Sequence, residues 1–151
     1  MLAMPQNIKG RTLDPTEAAW LAGLLDGDGT IATPRRHRNE NRQLEVSISN
    51  TDFALLEYVK SIVEVGRITR KRTMAINHAP SGAWQVSNRQ ALSLLQQIVT
   101  YLRTYKSKRA KLVLENYIKL TPRNGRYTAE MMARRNQFVE EFLMLNPRRN
   151  V

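Results

Sequence analysis

Asp26 and Asp28 stand two residues apart in Asp26-Gly27-Asp28-Gly29 and make up half of the four aspartates in the chain. The other two, Asp14 and Asp52, precede stretches of helical periodicity, where a side chain that accepts from free N–H groups is expected. Asp26 and Asp28 instead close such a stretch. There the helix dipole places partial negative charge, so a carboxylate is unfavourable. A bound divalent cation reverses that penalty. A carboxylate and a backbone carbonyl are hard oxygen donors that suit Mg²⁺, which keeps several waters and takes phosphate oxygens as its remaining ligands. Two other cation-binding readings are weaker. A calcium loop begun at Asp26 needs glycine where Ile31 stands and glutamate where His37 stands. A sugar-nucleotide Asp-x-Asp site belongs with a longer chain. A plain helix-stopping turn stays open.

Upstream, Ala19, Gly23 and Gly27 recur every four residues, so they line one stripe of a helix. A stripe without bulky side chains lets another helix approach closely. Trp20, Leu21, Leu24 and Leu25 flank it and are expected to enter the core. The stripe could equally lie against the chain's own sheet, since small residues at this spacing are common.

The chain has 151 residues, which fits one domain, and a formal net charge of +11. Arginine dominates the basic residues, with 17 against 7 lysines. Its planar fork matches phosphates and guanine edges, so nucleic acid is the first candidate partner. Cysteine is absent, which excludes a disulfide framework and a thiolate zinc site. The two histidines, His37 and His78, argue against a histidine-based metal centre. No apolar run approaches the ~18 residues that a membrane span needs, so no membrane association is expected. Residues 1–11 lack the apolar core of a secretory signal, and an intracellular location is expected.

The elements that must position these residues follow from periodicity and caps. Residues 1–12 read as an arm, with Lys9 and Arg11 free to touch phosphate. Asp14-Pro15-Thr16-Glu17 predicts a helix start with a capping box, and the helix should run to about Asp26 before Gly27-Asp28-Gly29 stops it. A hairpin follows, Thr30–Pro34 and Gln43–Asn50, with Leu44, Val46 and Ile48 inward. A second helix begins near Thr51 or Asp52 and ends before Gly66. A second hairpin spans about 67–73 and 83–88, joined by a loop through Asn77–Gly82. Helices are then expected after Asn88, over Lys106–Leu120 and over Thr128–Leu145, with residues 146–151 as a frayed tail. The order is α-ββ-α-ββ-α with further C-terminal helices, an α+β arrangement.

A two-stranded ribbon fits the major groove of DNA. Gln43, Glu45, Ser47 and Ser49 form the outward face of the second strand, suited to base edges; the plain alternative is a solvated sheet face. The preceding loop brings Arg35, Arg36, His37, Arg38 and Arg42, a set suited to phosphates and guanines. In the second hairpin, Arg67, Thr69, Lys71, Gln85 and Ser87 fall on the same face. Arg70 and Arg72 join this set only if a bulge or an early strand end turns them outward. Arg134 and Arg135, beside Met131, Phe138 and Phe142, read as part of a core helix with a solvated face.

The run Leu21-Ala22-Gly23-Leu24-Leu25-Asp26-Gly27-Asp28-Gly29 resembles the signature of the LAGLIDADG homing endonucleases, departing from that peptide at Leu25 and Gly27. The element order is similar too, so the resemblance extends over most of the chain. It implies the LAGLIDADG homing-endonuclease fold, with a four-stranded antiparallel saddle-shaped sheet astride double-stranded DNA. The motif occurs once, which in this family implies a homodimer packed through helix 1, with Ala19, Gly23, Leu24 and Gly27 at the seam. A twofold protein then implies a pseudo-palindromic target. The resemblance makes Asp28 the metal-binding catalytic carboxylate, the carbonyl of Gly27 a second ligand, and Asp26 structural. It implies Mg²⁺ as cofactor, Mn²⁺ as a substitute, and Ca²⁺ as supporting binding without cleavage. The product would be a double-strand break with 3′ overhangs, made by an intron-encoded enzyme. Lys106 and Lys108 resemble a Lys-x-Lys in single-motif relatives whose first lysine approaches the scissile phosphate, with Lys108 beside DNA. Asp52 falls where relatives carry glutamine near the site's waters, a departure from the pattern. The family also admits RNA maturases that assist splicing, and non-catalytic DNA-binding regulators.

Overall fold

The computed structural model describes residues 11–35, 41–71, 79–121, 124 and 126–147. Arg36, His37 and Arg38 of the first hairpin loop, Arg72, Lys9 and the tail from 148 onward lie outside the described residues.

Helix α1, Pro15–Asp28, starts as its sequence dictates. The Asp14 carboxylate accepts from the Glu17 N–H at 2.8 Å, and Glu17 accepts in return from the Asp14 N–H at 3.1 Å. It buries Ala18, Leu21, Ala22 and Leu25. The helix runs two residues beyond the expected stop at Asp26, and carries Gly27 and Asp28 in its last turn. No left-handed glycine ends it. Gly29 is extended and passes directly into a strand, and its N–H donates to the Leu25 carbonyl. A Cβ there would stand 2.8 Å from both Leu25 Cα and Leu25 O, so the switch from helix to strand requires glycine.

Strands β1 (Gly29–Ala32) and β2 (Glu45–Asn50) pair antiparallel, and β3 (Arg67–Lys71) and β4 (Ser81–Ser87) do the same. The two hairpins join through β2 and β4, also antiparallel, giving one sheet in the order β1-β2-β4-β3. The strands are shorter than expected at their loop ends, except β4. It begins at Ser81, so Ser81 and Gly82 belong to the ladder and not to the loop. Helix α2 (Phe53–Val63) is capped by Asp52, and α3 (Asn88–Ile98) continues into a 3₁₀ turn at Val99–Tyr101. Helix α4 (Tyr105–Asn116) ends one turn before the expected Leu120, and α5 (Ala129–Met144) is capped by Thr128.

One face of the sheet carries Ile31, Val46, Ile48, Trp84 and Val86, and the helices bury it. The Trp84 indole N–H donates to the Val65 carbonyl at 3.1 Å. Gly66 adopts a left-handed φ of 97° beside that ring, and a Cβ there would come within 2.5 Å of the indole nitrogen. The other face is open and polar.

Two expectations change here. Arg11 is not free: its N–H donates to the Val63 carbonyl and its guanidinium pairs with Glu17 at 2.6 Å, which draws the chain onto α2 and α1. Trp20 does not enter the core. It is 39% exposed and meets the Tyr58 ring of α2 edge-on, with centroids 5.2 Å apart.

Helix α5 is fastened by two arginines. Arg135, expected on a solvated face beside a core helix, is 3% exposed. It donates to the Leu120 carbonyl, the Thr121 hydroxyl and the Arg42 carbonyl, between the rings of Tyr117 and Tyr127. Arg109 of α4 donates to the carbonyls of Leu145 and Ile31 over the Phe142 ring, and its burial holds its pKa below the usual arginine value.

Candidate active site and nucleic-acid interface

The end of α1 presents its two aspartates in opposite directions. Asp26 turns inward to the start of α4. One of its oxygens accepts from the Arg103 N–H at 2.8 Å; the other accepts from the Thr104 N–H at 3.1 Å and the Thr104 hydroxyl at 2.6 Å. Burial works to raise its pKa, but these donors and the Lys106 charge outweigh burial and hold it below the ordinary value. Asp26 is therefore a structural carboxylate.

Lys106 answers it from α4. The residue is 6% exposed, and its ammonium donates to the Leu25 carbonyl at 2.8 Å, which the Gly29 N–H also reaches, and to the Asp26 carbonyl at 2.9 Å, one of the acceptors that a helix leaves unpaired at its end. Burial lowers its pKa, and the charges of Asp26 and Asp28 oppose that shift. A carboxylate from α1 thus serves the start of α4, and a cation from α4 serves the end of α1. Lys108, two residues on and thus on the opposite side of α4, is exposed.

Asp28 points outward. Its carboxylate is exposed and accepts from the Asn50 side-chain amide at 3.0 Å. Asn50 is itself held, its oxygen accepting from the Asp52 N–H at 2.8 Å. The polar side chain beside Asp28 is therefore Asn50 and not Asp52, whose carboxylate accepts from the N–H groups of Ala54 and Leu55 to cap α2. A signal for Asn50 existed in the sequence: it is the polar residue that closes the inward series Leu44, Val46, Ile48.

Ala19, Gly23 and Gly27 are all exposed along one side of α1, and Leu24 is half-buried beside them. A Cβ built at Gly23 or Gly27 meets nothing within 4 Å, so the chain's own sheet does not cover this stripe.

On the open sheet face the register sets residues in rows. Thr30, Ser47, Gln85 and Arg67 form one row across all four strands; Ser49, Ala83 and Thr69 form the next; Glu45 and Ser87 pair on the far side. Thr30 belongs to this face and was not anticipated. Lys71 donates to the Ser49 hydroxyl at 2.8 Å, reaching across the strand between them. Gln43 is exposed beside this face and accepts from the Asn88 amide at 3.4 Å. Arg42 bends back to donate to the Thr33 carbonyl at 3.0 Å, while Arg35 is exposed. Arg70 does not join the open face, because no bulge or early strand end turns it there. Its partner in the ladder is Gly82, on the helix side, and its guanidinium lies 4.7 Å from the centre of the Phe53 ring. Strand alternation puts it there, and the bare Gly82 leaves room for the Phe53 ring that it meets.

Asp28 and the Gly27 carbonyl suit a hard divalent cation, but among the described residues no group of three or more His, Asp or Glu side chains could hold a metal ion. The donors of one chain are thus an incomplete shell, which phosphate oxygens, waters or a second carboxylate would have to complete.

Solved structures share this fold. The homing endonuclease I-CvuI, solved with the I-CreI target in the presence of Mg and with DNA not cleaved, superposes with a TM-score of 0.71 at 22% identity, covering 87% of this chain and 83% of that one. The archaeal intron-encoded homing endonuclease I-Vdi141I, complexed with DNA, gives 0.60 at 12% identity over 87% of this chain and 84% of that one. The meganuclease I-SmaMI, bound to uncleaveable DNA, gives 0.60 at 17% identity over 83% of this chain but 45% of its own. Among curated proteins none matches the sequence. No described helix is long and apolar enough to cross a membrane. The LAGLIDADG endonuclease model matches residues 21–121, more than half of the chain and inclusive of the Asp26-Gly27-Asp28-Gly29 turn, and the chain belongs to that family.

Proposed function

We propose that the protein is a homodimeric, site-specific endonuclease that cuts both strands of a long pseudo-palindromic DNA site and leaves 3′ overhangs. The observation that carries this reading is the outward Asp28 at the end of a helix whose adjoining small-residue face is uncovered. Two such helices packed along Ala19, Gly23, Leu24 and Gly27 would bring two Asp28 carboxylates together. The length of I-SmaMI, matched here over 45%, leaves room for a second unit of this kind within one chain.

A divalent cation, Mg²⁺ by the hardness of its donors, would be held by Asp28 and the Gly27 carbonyl, and supplies polarisation of the scissile phosphate and an acidified water. Asn50 aims the Asp28 carboxylate. Lys106 fixes the height of the helix end and keeps the third proton of its ammonium for the phosphate or a neighbouring water. The row of Thr30, Ser47, Gln85 and Arg67, with Glu45, Ser49, Thr69, Lys71, Ser87 and Gln43 around it, faces bases. Arg35, Arg42 and Lys108 face phosphates, and the net charge of +11 per chain makes binding steeply salt-dependent.

The test is a randomised duplex library incubated with Mg²⁺, with every new end sequenced beside an Asp28→Asn control. Staggered ends clustered at one near-palindromic sequence, absent from the control, are expected. Preference for a structured RNA over any duplex would establish the maturase reading instead. Gly23→Leu is expected to give a monomer by light scattering; an unchanged dimer mass would sink the packing proposal.

A further inference from the structure

Arg67 and Gln85 face each other across β3 and β4 on the open side of the sheet. With the amide oxygen of Gln85 toward the guanidinium, it accepts from both Arg67 Nε and Arg67 Nη2, each at 2.8 Å. Strand β3 is an edge strand and β4 an inner one, so this contact turns the guanidinium inward over the sheet, away from the rim where a backbone would pass. The next row is built of Ser49, Ala83 and Thr69, all small, and the Lys71 side chain crosses it to reach the Ser49 hydroxyl.

The contact uses two of the five guanidinium donors, both on one edge. The three that remain include one on each terminal nitrogen, pointing end-on. That end-on fork matches O6 and N7 of guanine in the major groove. Gln85 is neutral, so the pair keeps its positive charge, and guanine presents two acceptors to it.

We propose that Arg67, oriented by Gln85, reads a guanine in the major groove of each half-site. The proposal rests on the reading that the open sheet face lies on DNA. Arg67 is the base-contacting residue and Gln85 its positioning residue.

The experiment is a binding selection from randomised duplexes, using the full chain carrying Asp28→Asn so that DNA is not consumed. Arg67→Ala, Gln85→Met and Gln85→Glu are compared on that background. The parent should enrich guanine at one position per half-site. Arg67→Ala should lose roughly 10- to 100-fold of that preference while other positions keep theirs. Gln85→Met should weaken the same preference roughly 3- to 10-fold, and Gln85→Glu, which can still accept from Arg67, should restore it. If Arg67→Ala instead weakens all sequences equally and lowers the salt slope by about one, Arg67 is a phosphate contact and the proposal is overturned. A guanine preference untouched by Gln85→Met removes Gln85 from its role. An enriched site that Arg67→Ala reads as the parent does overturns this proposal alone, whereas no enrichment by the parent overturns the DNA-reading proposal with it.

Discussion

Two aspartates close the same helix, yet they occupy opposite environments. Asp26 is half-buried and accepts from three donors of the α4 start, 77 and 78 residues further along the chain. Asp28 is exposed and accepts from one side-chain amide. The geometry of a helix separates them: a step of two residues turns a side chain by about 200° around the axis. One carboxylate can therefore anchor the helix end while the other faces outward at a fixed height. The cost of placing negative charge at a helix C-terminus is met inside the chain for Asp26, by backbone N–H groups and Lys106. Among the described residues Asp28 receives the Asn50 amide and the charge of Lys106 but no backbone N–H, an asymmetry that suits a cation-binding carboxylate.

The largest expected effect breaks this comparison on its open side. Asp28→Asn should reduce cleavage by at least about 10³-fold while leaving the thermal midpoint within a degree or two, since its side chain bonds a single partner among the described residues. A large fall in the midpoint would show that Asp28 is structural after all.

The buried side should respond in the opposite sense. Asp26→Ala should cost about 2–3 kcal/mol in urea unfolding, because it strips a charged acceptor from three donors. Lys106→Met should cost about as much, and the double variant should cost less than the sum by about 1 kcal/mol, since both residues fasten the same junction. Strict additivity would mean that the two braces act independently.

A smaller effect sharpens the role of Asn50. Asn50→Ala removes the amide on Asp28 and the acceptor of the Asp52 N–H, and cleavage should fall about tenfold. Saturating metal should recover part of that loss if the amide only aims the carboxylate. The smallest effect lies at the other end of α1. Asp14 is held below its ordinary pKa of 3.8, chiefly by the Thr16 hydroxyl and then by the Glu17 N–H. Its folded value lies below the unfolded one, so its charged form adds stability that is present above the unfolded pKa and disappears as pH falls through the folded one. Asp14→Asn should keep the cap and flatten that acid limb in unfolding midpoints measured from pH 5 downward.

Local rules made much of this molecule legible. The capping box at Asp14 and Glu17, the inward series of β2, and the caps at Asp52 and Thr128 depend on neighbours within four residues, and the structure holds each as expected. The motif marked the turn in which the two aspartates part, Asp26 toward Arg103 and Thr104 and Asp28 toward solvent and Asn50. Contacts that join distant segments were not legible. Trp20 reads as core by composition, but Tyr58 meets it at the surface. Arg70 sits in a basic run, and only the β3–β4 register reveals that it faces Phe53. Arg135 lies buried, with no carboxylate partner among the described residues, because carbonyls and two tyrosine rings receive it, an arrangement assembled from α5, the segment between α4 and α5 and the first hairpin loop.

The two tryptophans of the chain also divide its light emission by place. Trp84 is sealed in the core with its indole N–H bound to a carbonyl, so its fluorescence should lie to the blue and resist iodide quenching until the protein unfolds. Trp20 is 39% exposed on the flank of the bare stripe of α1, and should emit further to the red and quench readily. Dilution that separates two packed copies would change the second signal and leave the first, so assembly and folding can be followed in one cuvette without a label.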